Sequence, residues 1–105
     1  MSGYYYIDFT LKTKETKEPL PIYVKGSIEQ SLRTIYGEIG GISTVDLIKF
    51  DRETGRGILR VPESNYVKTR TALTLISKFQ EVPCHFQVHA ASPVILGLLK
   101  THVEF

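Results

Sequence analysis

Apolar and polar residues alternate from Tyr4 to Leu11. Tyr5, Ile7, Phe9 and Leu11 fall on one side and Tyr4, Tyr6, Asp8 and Thr10 on the other, the period of a half-buried strand. Lys12 to Pro21 is rich in Lys, Glu, Thr and Pro and reads as an exposed loop. From Ile22 to Ile39 the period becomes helical: Val24, Ile28, Leu32, Ile35 and Ile39 share a stripe, while Lys25, Glu29 and Arg33 face away. Gly26 weakens the first turns, which predicts a start near Ser27 as N-cap. Gly37 or the pair Gly40-Gly41 can end the helix, because glycine takes the left-handed cap conformation without strain.

Thr44 to Phe50 reads as a second strand, Asp51 to Gly55 as a turn and Arg56 to Val61 as a third strand. Pro62-Glu63-Ser64-Asn65 opens a second helix. Its apolar face is Ala72, Leu73, Leu75, Ile76 and Phe79, with Arg70, Thr74, Ser77 and Lys78 opposite. Pro83 marks the last strand, where Cys84, Phe86, Val88 and Ala90 alternate with His85, Gln87 and His89. Pro93 to Leu99 is a short apolar segment. The order strand, helix, strand, strand, helix, strand predicts an α+β, ferredoxin-like βαββαβ sandwich: a four-stranded antiparallel sheet with two helices on one face. The other face would carry Tyr4, Tyr6, Asp8, His85, Gln87 and His89, with Ile58 and Arg60.

The 105 residues make one domain, 1–105. A chain of this size buries roughly two-thirds of its unfolded surface, enough for one core. Hydrophobic residues make up 42 %, which argues against disorder. A single cysteine, Cys84, rules out an internal disulfide and fits a reducing compartment. The opening Met1-Ser2-Gly3-Tyr4 lacks the basic-then-apolar pattern of a signal peptide. The longest apolar run, Val94 to Leu99, is too short to span a membrane. A net charge of +2 and a pI near 8.7 permit contact with RNA without demanding it.

The fold includes the RNA-recognition module, which stacks bases on aromatic residues of its central strands. The third strand opens Arg56-Gly57 as that signature does, but Ile58 and Arg60 stand where aromatics are expected. Tyr4 and Tyr6 offer half a platform. Arg52, Arg56, Arg60, Lys68 and Arg70 gather around the hairpin and the second helix as candidate RNA-binding residues, since the planar Arg fork suits phosphate. The alternative is a solvated face balanced by Asp51, Glu53 and Glu63. The segment Val94, Ile95, Leu96, Leu98 and Leu99, with Tyr4 and Tyr6, is a candidate partner interface; it can equally fold back on its own sheet.

No metal site is expected: His85 and His89, four residues apart on a strand, are separated by roughly 13 Å, and Cys84 faces away from both. Small acyl-phosphate hydrolases of this fold need an Arg and an Asn in a phosphate cradle, and the one asparagine here is Asn65. No catalytic constellation and no cofactor motif is visible.

The chain resembles the protein-subunit family of eukaryotic and archaeal ribonuclease P that includes the fourteen-kilodalton subunit and its sibling, pop-five. The resemblance runs over nearly the whole length. It rests on Tyr36-Gly37-Glu38, Asp46-Leu47-Ile48, Ile58-Leu59-Arg60-Val61, Leu73-Thr74-Leu75-Ile76 and Gln87-Val88 followed by Ser92-Pro93. Tyr4-Tyr5-Tyr6 with Asp8-Phe9, and the apolar segment after Pro93, are closer to the fourteen-kilodalton type. The resemblance implies a noncatalytic subunit of the ribonuclease P ribonucleoprotein, shared with ribonuclease MRP, in the nucleus and nucleolus. It also implies partners: a TIM-barrel-like subunit, the pop-five sibling and the ribonuclease P RNA, whose chemistry removes the 5′ leader of precursor tRNA. Two other readings stay open: a ferredoxin-like protein-interaction module with no RNA-processing role, and a lone RNA-binding domain.

Overall fold

The computed structural model describes residues 3–14, 19–40 and 45–94. Strand β1 spans Tyr4–Thr13, helix α1 Pro21–Gly40, β2 Asp46–Phe50 and β3 Arg56–Pro62. A short 3-10 turn, Glu63–Asn65, leads into α2, Tyr66–Leu75, followed by β4, Lys78–Phe79, and β5, Val82–Ser92. The sheet order is β2-β3-β1-β5-β4, with every pairing antiparallel. Four of these strands are the expected ferredoxin-like set. The fifth, β4, is an addition to that pattern.

Strand β1 is the centre. Ile7, Phe9 and Leu11 point to the helices and are buried with Val24, Ile28 and Leu32 of α1 and Ala72 and Leu73 of α2. Leu59 and Val61 of β3, Phe79 of β4, Phe86 of β5 and Val45 just before β2 belong to the same core. The helices touch through Ser31, whose hydroxyl donates to the Ala72 carbonyl at 3.1 Å. Buried Thr69 donates to the Asn65 carbonyl at 2.8 Å, so its hydroxyl is satisfied within its own helix.

Helix α1 departs from expectation at its start, while its end falls at the glycines read as terminators. It starts at Pro21 rather than Ser27. Proline at the first position has φ preset and lacks only an N–H that a helix start leaves unpaired; the Leu20 carbonyl accepts from Tyr23 and Val24. Gly26 is tolerated inside because Val24 and Ile28 on either side are fully buried. Among the described side chains the core stripe runs to Tyr36 and Ile35 stays exposed, while the Ile39 side chain lies outside the described residues. Gly37, at φ 79° and ψ 175°, breaks the helical geometry before the last turn.

Helix α2 is shorter than its apolar pattern predicts. Leu75 is 61 % exposed, and Ile76 turns extended at φ −74° and ψ 117°. Phe79 does enter the core, but from β4, because the chain after Ile76 pairs with β5: the Cys84 amide donates to the Ser77 carbonyl at 2.9 Å. Gln80 and Glu81 join β4 to β5 with φ of 51° and 68°. Both central residues are thus left-handed, the geometry of a type I′ hairpin, without the Asn-Gly chemistry that favours it.

Strand β5 carries a second surprise. Asp8 faces Ala90 while Phe9 faces Val88, so His89 is an extra, bulged residue. The alternation therefore changes phase. Val88 and Phe86 face the core as expected, but Ala91 rather than Ala90 packs against it. Strand β2 is bulged between Leu47 and Lys49 in the same manner.

Two glycines are fixed by close approach. A Cβ on Gly55, itself at φ 79°, would lie 2.3 Å from the Leu11 carbonyl oxygen. A Cβ on Gly57 would lie 2.8 Å from the Phe9 ring and 2.9 Å from the Lys49 carbonyl.

Gly57→Ala is expected to lower stability by roughly 1–3 kcal/mol, since a rigid ring and backbone must both move. Changing Gln80-Glu81 to Asn-Gly is expected to raise it by about 1 kcal/mol by relieving two left-handed backbones. Urea midpoints of the purified variants check both.

Candidate functional site

The face of the sheet opposite the helices takes Tyr4, Tyr6, Asp8 and Thr10 from β1, and Arg56, Ile58 and Arg60 from β3. The register sets Tyr6 opposite Arg60, Asp8 opposite Ile58 and Thr10 opposite Arg56. Strand β2 adds Asp46 and Lys49, and β5 adds His85, Gln87, Ala90 and Ser92.

This face is not uniformly open. Asp8 has no exposed surface, Ile58 has 1 % and Thr10 has 8 %. Ile58 is therefore a buried apolar residue on the side away from the helix-facing core. Arg56 lays one guanidinium nitrogen across both Asp8 carboxylate oxygens, at 2.9 and 3.2 Å. Its side chain is 29 % exposed. The Thr10 hydroxyl and His89 Nε2 are hydrogen-bonded, which gives the bulged histidine a fixed partner.

Nearer the edge, Arg60 donates from Nε and Nη2 to one oxygen of Asp46, at 3.2 and 2.9 Å. Its guanidinium also covers the Tyr4 ring at 4.9 Å from the centroid. The Asp46 hydrogen bonds hold the Arg60 guanidinium above its ordinary pKa, so it stays charged at any working pH. Tyr4 remains 47 % exposed, yet one side of its ring is occupied by Arg60. The aromatic half-platform thus has a buried aliphatic centre and a cation already stacked on its rim.

The other cations lie elsewhere. Arg52 sits in the exposed turn between β2 and β3. Lys68 and Arg70 are on α2, in the helical layer. Lys68 Nζ stands 5.3 Å from the centre of the Tyr36 ring. Arg70 donates to the Tyr66 hydroxyl at 2.6 Å, and Tyr66 stacks on Tyr5 with centroids 4.6 Å apart. The five candidate cations therefore divide between the sheet face, the hairpin turn and the second helix. Of the candidate interface residues, Tyr4 and Tyr6 are on the helix-free face and Val94 is 60 % exposed just beyond β5. Ile95, Leu96, Leu98 and Leu99 lie outside the described residues.

The charge pattern around the hairpin concealed Asp8 and Asp46 as the direct partners of Arg56 and Arg60; the strand register, not the sequence spacing, brings them together. The Tyr5–Tyr66 stack also lacked a signal, because it joins a strand and a helix about sixty residues apart. Cys84 packs against the core, and burial pushes its thiol pKa up, away from the reactive thiolate. Among the described residues no three His, Cys, Asp or Glu side chains come together as metal ligands. No helix among them is long and apolar enough to cross a membrane.

Comparison with known proteins gives a consistent picture. A model of the Rpp14/Pop5 family matches residues 4–100. The chain is 33 % identical over 98 residues to ribonuclease P protein subunit p14 of Mus musculus, covering 92 % of this chain and 80 % of that one. It is 26 % identical to the Homo sapiens subunit of the same name, covering 92 % and 79 %. Its fold matches a chain in the cryo-EM structure of yeast ribonuclease MRP with a TM-score of 0.77 at 11 % identity, over 99 % of this chain and 92 % of that one.

The two arginines of β3 should respond differently to mutation. Arg56→Ala removes the cation that hydrogen-bonds both oxygens of the fully buried Asp8 carboxylate and is expected to cost about 3 kcal/mol. Arg60→Ala breaks a pair whose two side chains are 37 % and 41 % exposed, and is expected to leave the unfolding midpoint unchanged within error. Paired urea titrations of the two variants test the difference.

Proposed function

The chain belongs to the Rpp14/Pop5 family, and on that premise we propose that it is a noncatalytic protein subunit of ribonuclease P, of the p14 type, shared with ribonuclease MRP. In this role it supports removal of the 5′ leader from precursor tRNA by bracing RNA and neighbouring subunits. The observation that carries the reading is the family match over residues 4–100 together with the 33 % identity to the mouse subunit. The fold likeness to a chain of yeast ribonuclease MRP agrees with it.

The geometry fits a bracing role. A lone single-strand reader needs exposed π-faces, because stacking contributes roughly 1–3 kcal/mol per base. Here Ile58 fills the centre of the sheet face and Arg60 covers one side of Tyr4. Arg56 and Arg60 both donate to carboxylates. Arg52 in the hairpin turn and Lys68 and Arg70 on the second helix are the cations proposed to meet phosphate. The partners proposed are the ribonuclease P RNA, a TIM-barrel-like subunit and the pop-five sibling. The location proposed is the nucleus, with the nucleolus as its finer site.

Tagged chain recovered from native cells is expected to bring down ribonuclease P RNA and leader-cleaving activity, and depletion to accumulate precursor tRNA with its leader retained. A pull-down with protein partners but neither RNA nor activity, and full leader processing after depletion, would return the chain to the class of plain interaction modules. In the reconstituted particle, Arg52→Ala, Lys68→Ala and Arg70→Ala together should flatten the slope of log affinity against log salt. The change expected is about 0.7–0.9 for each phosphate no longer neutralised.

A further inference from the structure

The two edges of the sheet are built differently. β2 forms one edge with five residues, a bulge between Leu47 and Lys49 and the charges of Asp46 and Lys49, devices that discourage pairing with another chain. β5 forms most of the other edge. It runs eleven residues without an Asp, Glu, Lys or Arg. β4 pairs with it only at Val82 and Pro83, and the Cys84 amide donates to the Ser77 carbonyl. The backbone directions beyond that point follow from two contacts. The Lys14 amide donates to the Pro83 carbonyl, so that carbonyl points to β1, while the Cys84 amide points away from it. Alternation then directs His85 and Gln87 to β1 and turns the N–H and C=O of Phe86 and Val88 outward. The Leu11 amide agrees, since it donates to the Gly55 carbonyl on the β3 side rather than towards Phe86 opposite. Past the bulge at His89, Ala91 turns outward, because it faces Ile7, which shares the phase of Leu11 along β1. Among the described residues no strand lies beside Phe86, Val88 or Ala91 on that side.

We propose that this open edge, residues 86–91 of β5, receives an extended segment of a partner protein as an added strand. Three observations select that occupant. First, the outward groups are backbone donors and acceptors repeated at strand spacing, about 7 Å apart. Another extended backbone satisfies both kinds at once. Second, RNA is a poor match, because β5 offers no Lys or Arg for phosphate. Third, a second copy of this chain fits badly. A twofold, antiparallel pairing of β5 with itself must set outward residues opposite outward residues. β4 occupies the edge up to Cys84 and the bulge shifts the phase after Val88, so only residues 86–88 stay in step. A strand of different sequence is free of that symmetry and can follow the bend. The side chains define its two faces. Phe86, Val88 and Ala91 pack on the core side, where Leu75, two residues before Ser77, is 61 % exposed. His85 and Gln87 are exposed on the other side. The segment expected therefore alternates apolar and neutral polar residues.

The partner is placed within the proposed particle, so the inference rests on that reading, and the test separates the two. Amide hydrogen exchange, resolved to single residues by mass spectrometry, is measured on the full-length tagged chain alone and in the complex recovered from native cells. In the isolated chain the Phe86 and Val88 amides are expected to exchange at least about tenfold faster than those of His85 and Gln87, which bond to β1. In the complex they are expected to slow at least about tenfold, and to stay slow after ribonuclease digestion. An ester in place of the Val88 amide, introduced as the α-hydroxy acid of valine, deletes that outward donor and keeps the side chain. It is expected to weaken recovery of the partner roughly three- to tenfold. Circular dichroism melting verifies that the ester leaves the domain folded. If ribonuclease P RNA is recovered but Phe86 and Val88 exchange as fast in the complex as in the isolated chain, or slow only while RNA is present, the edge proposal fails and the subunit reading stands. If a protein protects them without that RNA, the edge proposal stands and the subunit reading fails. Amides already protected in the isolated chain, monomeric or dimeric by light scattering, overturn the proposal, since the chain then closes its own edge. Recovery unmoved by the ester in a folded chain also overturns it.

Discussion

A carboxylate with no exposed surface sits in the central strand, and the sheet is arranged around its neutralisation. Asp8 follows Ile7 and precedes Phe9, both wholly buried on the helix side. Strand β1 is therefore covered on both faces, and its second face cannot be satisfied by apolar packing alone. The antiparallel register to β3 supplies the answer by placing Thr10 opposite Arg56, one diagonal step from Asp8. A shift of that register by one residue would turn Arg56 to the opposite face, away from Asp8. The ion pair thus contributes less as a source of net stability than as a penalty against wrong pairings. Gly57 supports the same register from the other face, because any side chain there would meet the Phe9 ring.

This arrangement also shapes what the domain can do. The arginine whose place in the sequence points to phosphate is engaged at the centre of the sheet, and its neighbour Arg60 is engaged at the rim. Two side chains suited to chemistry have structural roles: the cysteine is packed against the core with its thiolate disfavoured, and His89 of β5 is tied to a threonine. What the surface offers is recognition, by aromatic residues with cations resting on them. A subunit in a ribonucleoprotein needs surfaces of this kind, while the reaction is carried by other components.

The periodic parts of the chain are legible because each has one dominant force. Ile7, Phe9 and Leu11, or Val24, Ile28 and Leu32, need only burial, and their spacing states which face is buried. The misreadings fall where two forces compete. Phe79 is apolar at helical spacing from Ile76, yet strand pairing with β5 draws it out of the helix. Ala90 keeps the alternation of its strand, yet the extra residue at His89 hands its place to Ala91. Ser27 has cap chemistry, but Pro21 and the Leu20 carbonyl start the helix earlier. For the candidate site, the basic residues could be picked out, but their counter-charges were invisible without the register. The exposure of Ile22 and Ile48 was equally hidden, since both are ordinary apolar residues until the fold shows how much of each is left uncovered.

The bulge at His89 bears on how this family can change in length. Removing that one residue would leave Val88 opposite Phe9 and bring Ala90 into regular succession opposite Asp8. The core packing on both sides of the gap would survive. A relative lacking the extra residue would keep the same architecture while its later residues are offset by one in number. A comparison that forbids gaps inside strands would then misalign the end of β5, setting Ala91 against a neighbour that faces the other way. Part of the distance measured between such sequences would reflect this single local insertion rather than drift of the core.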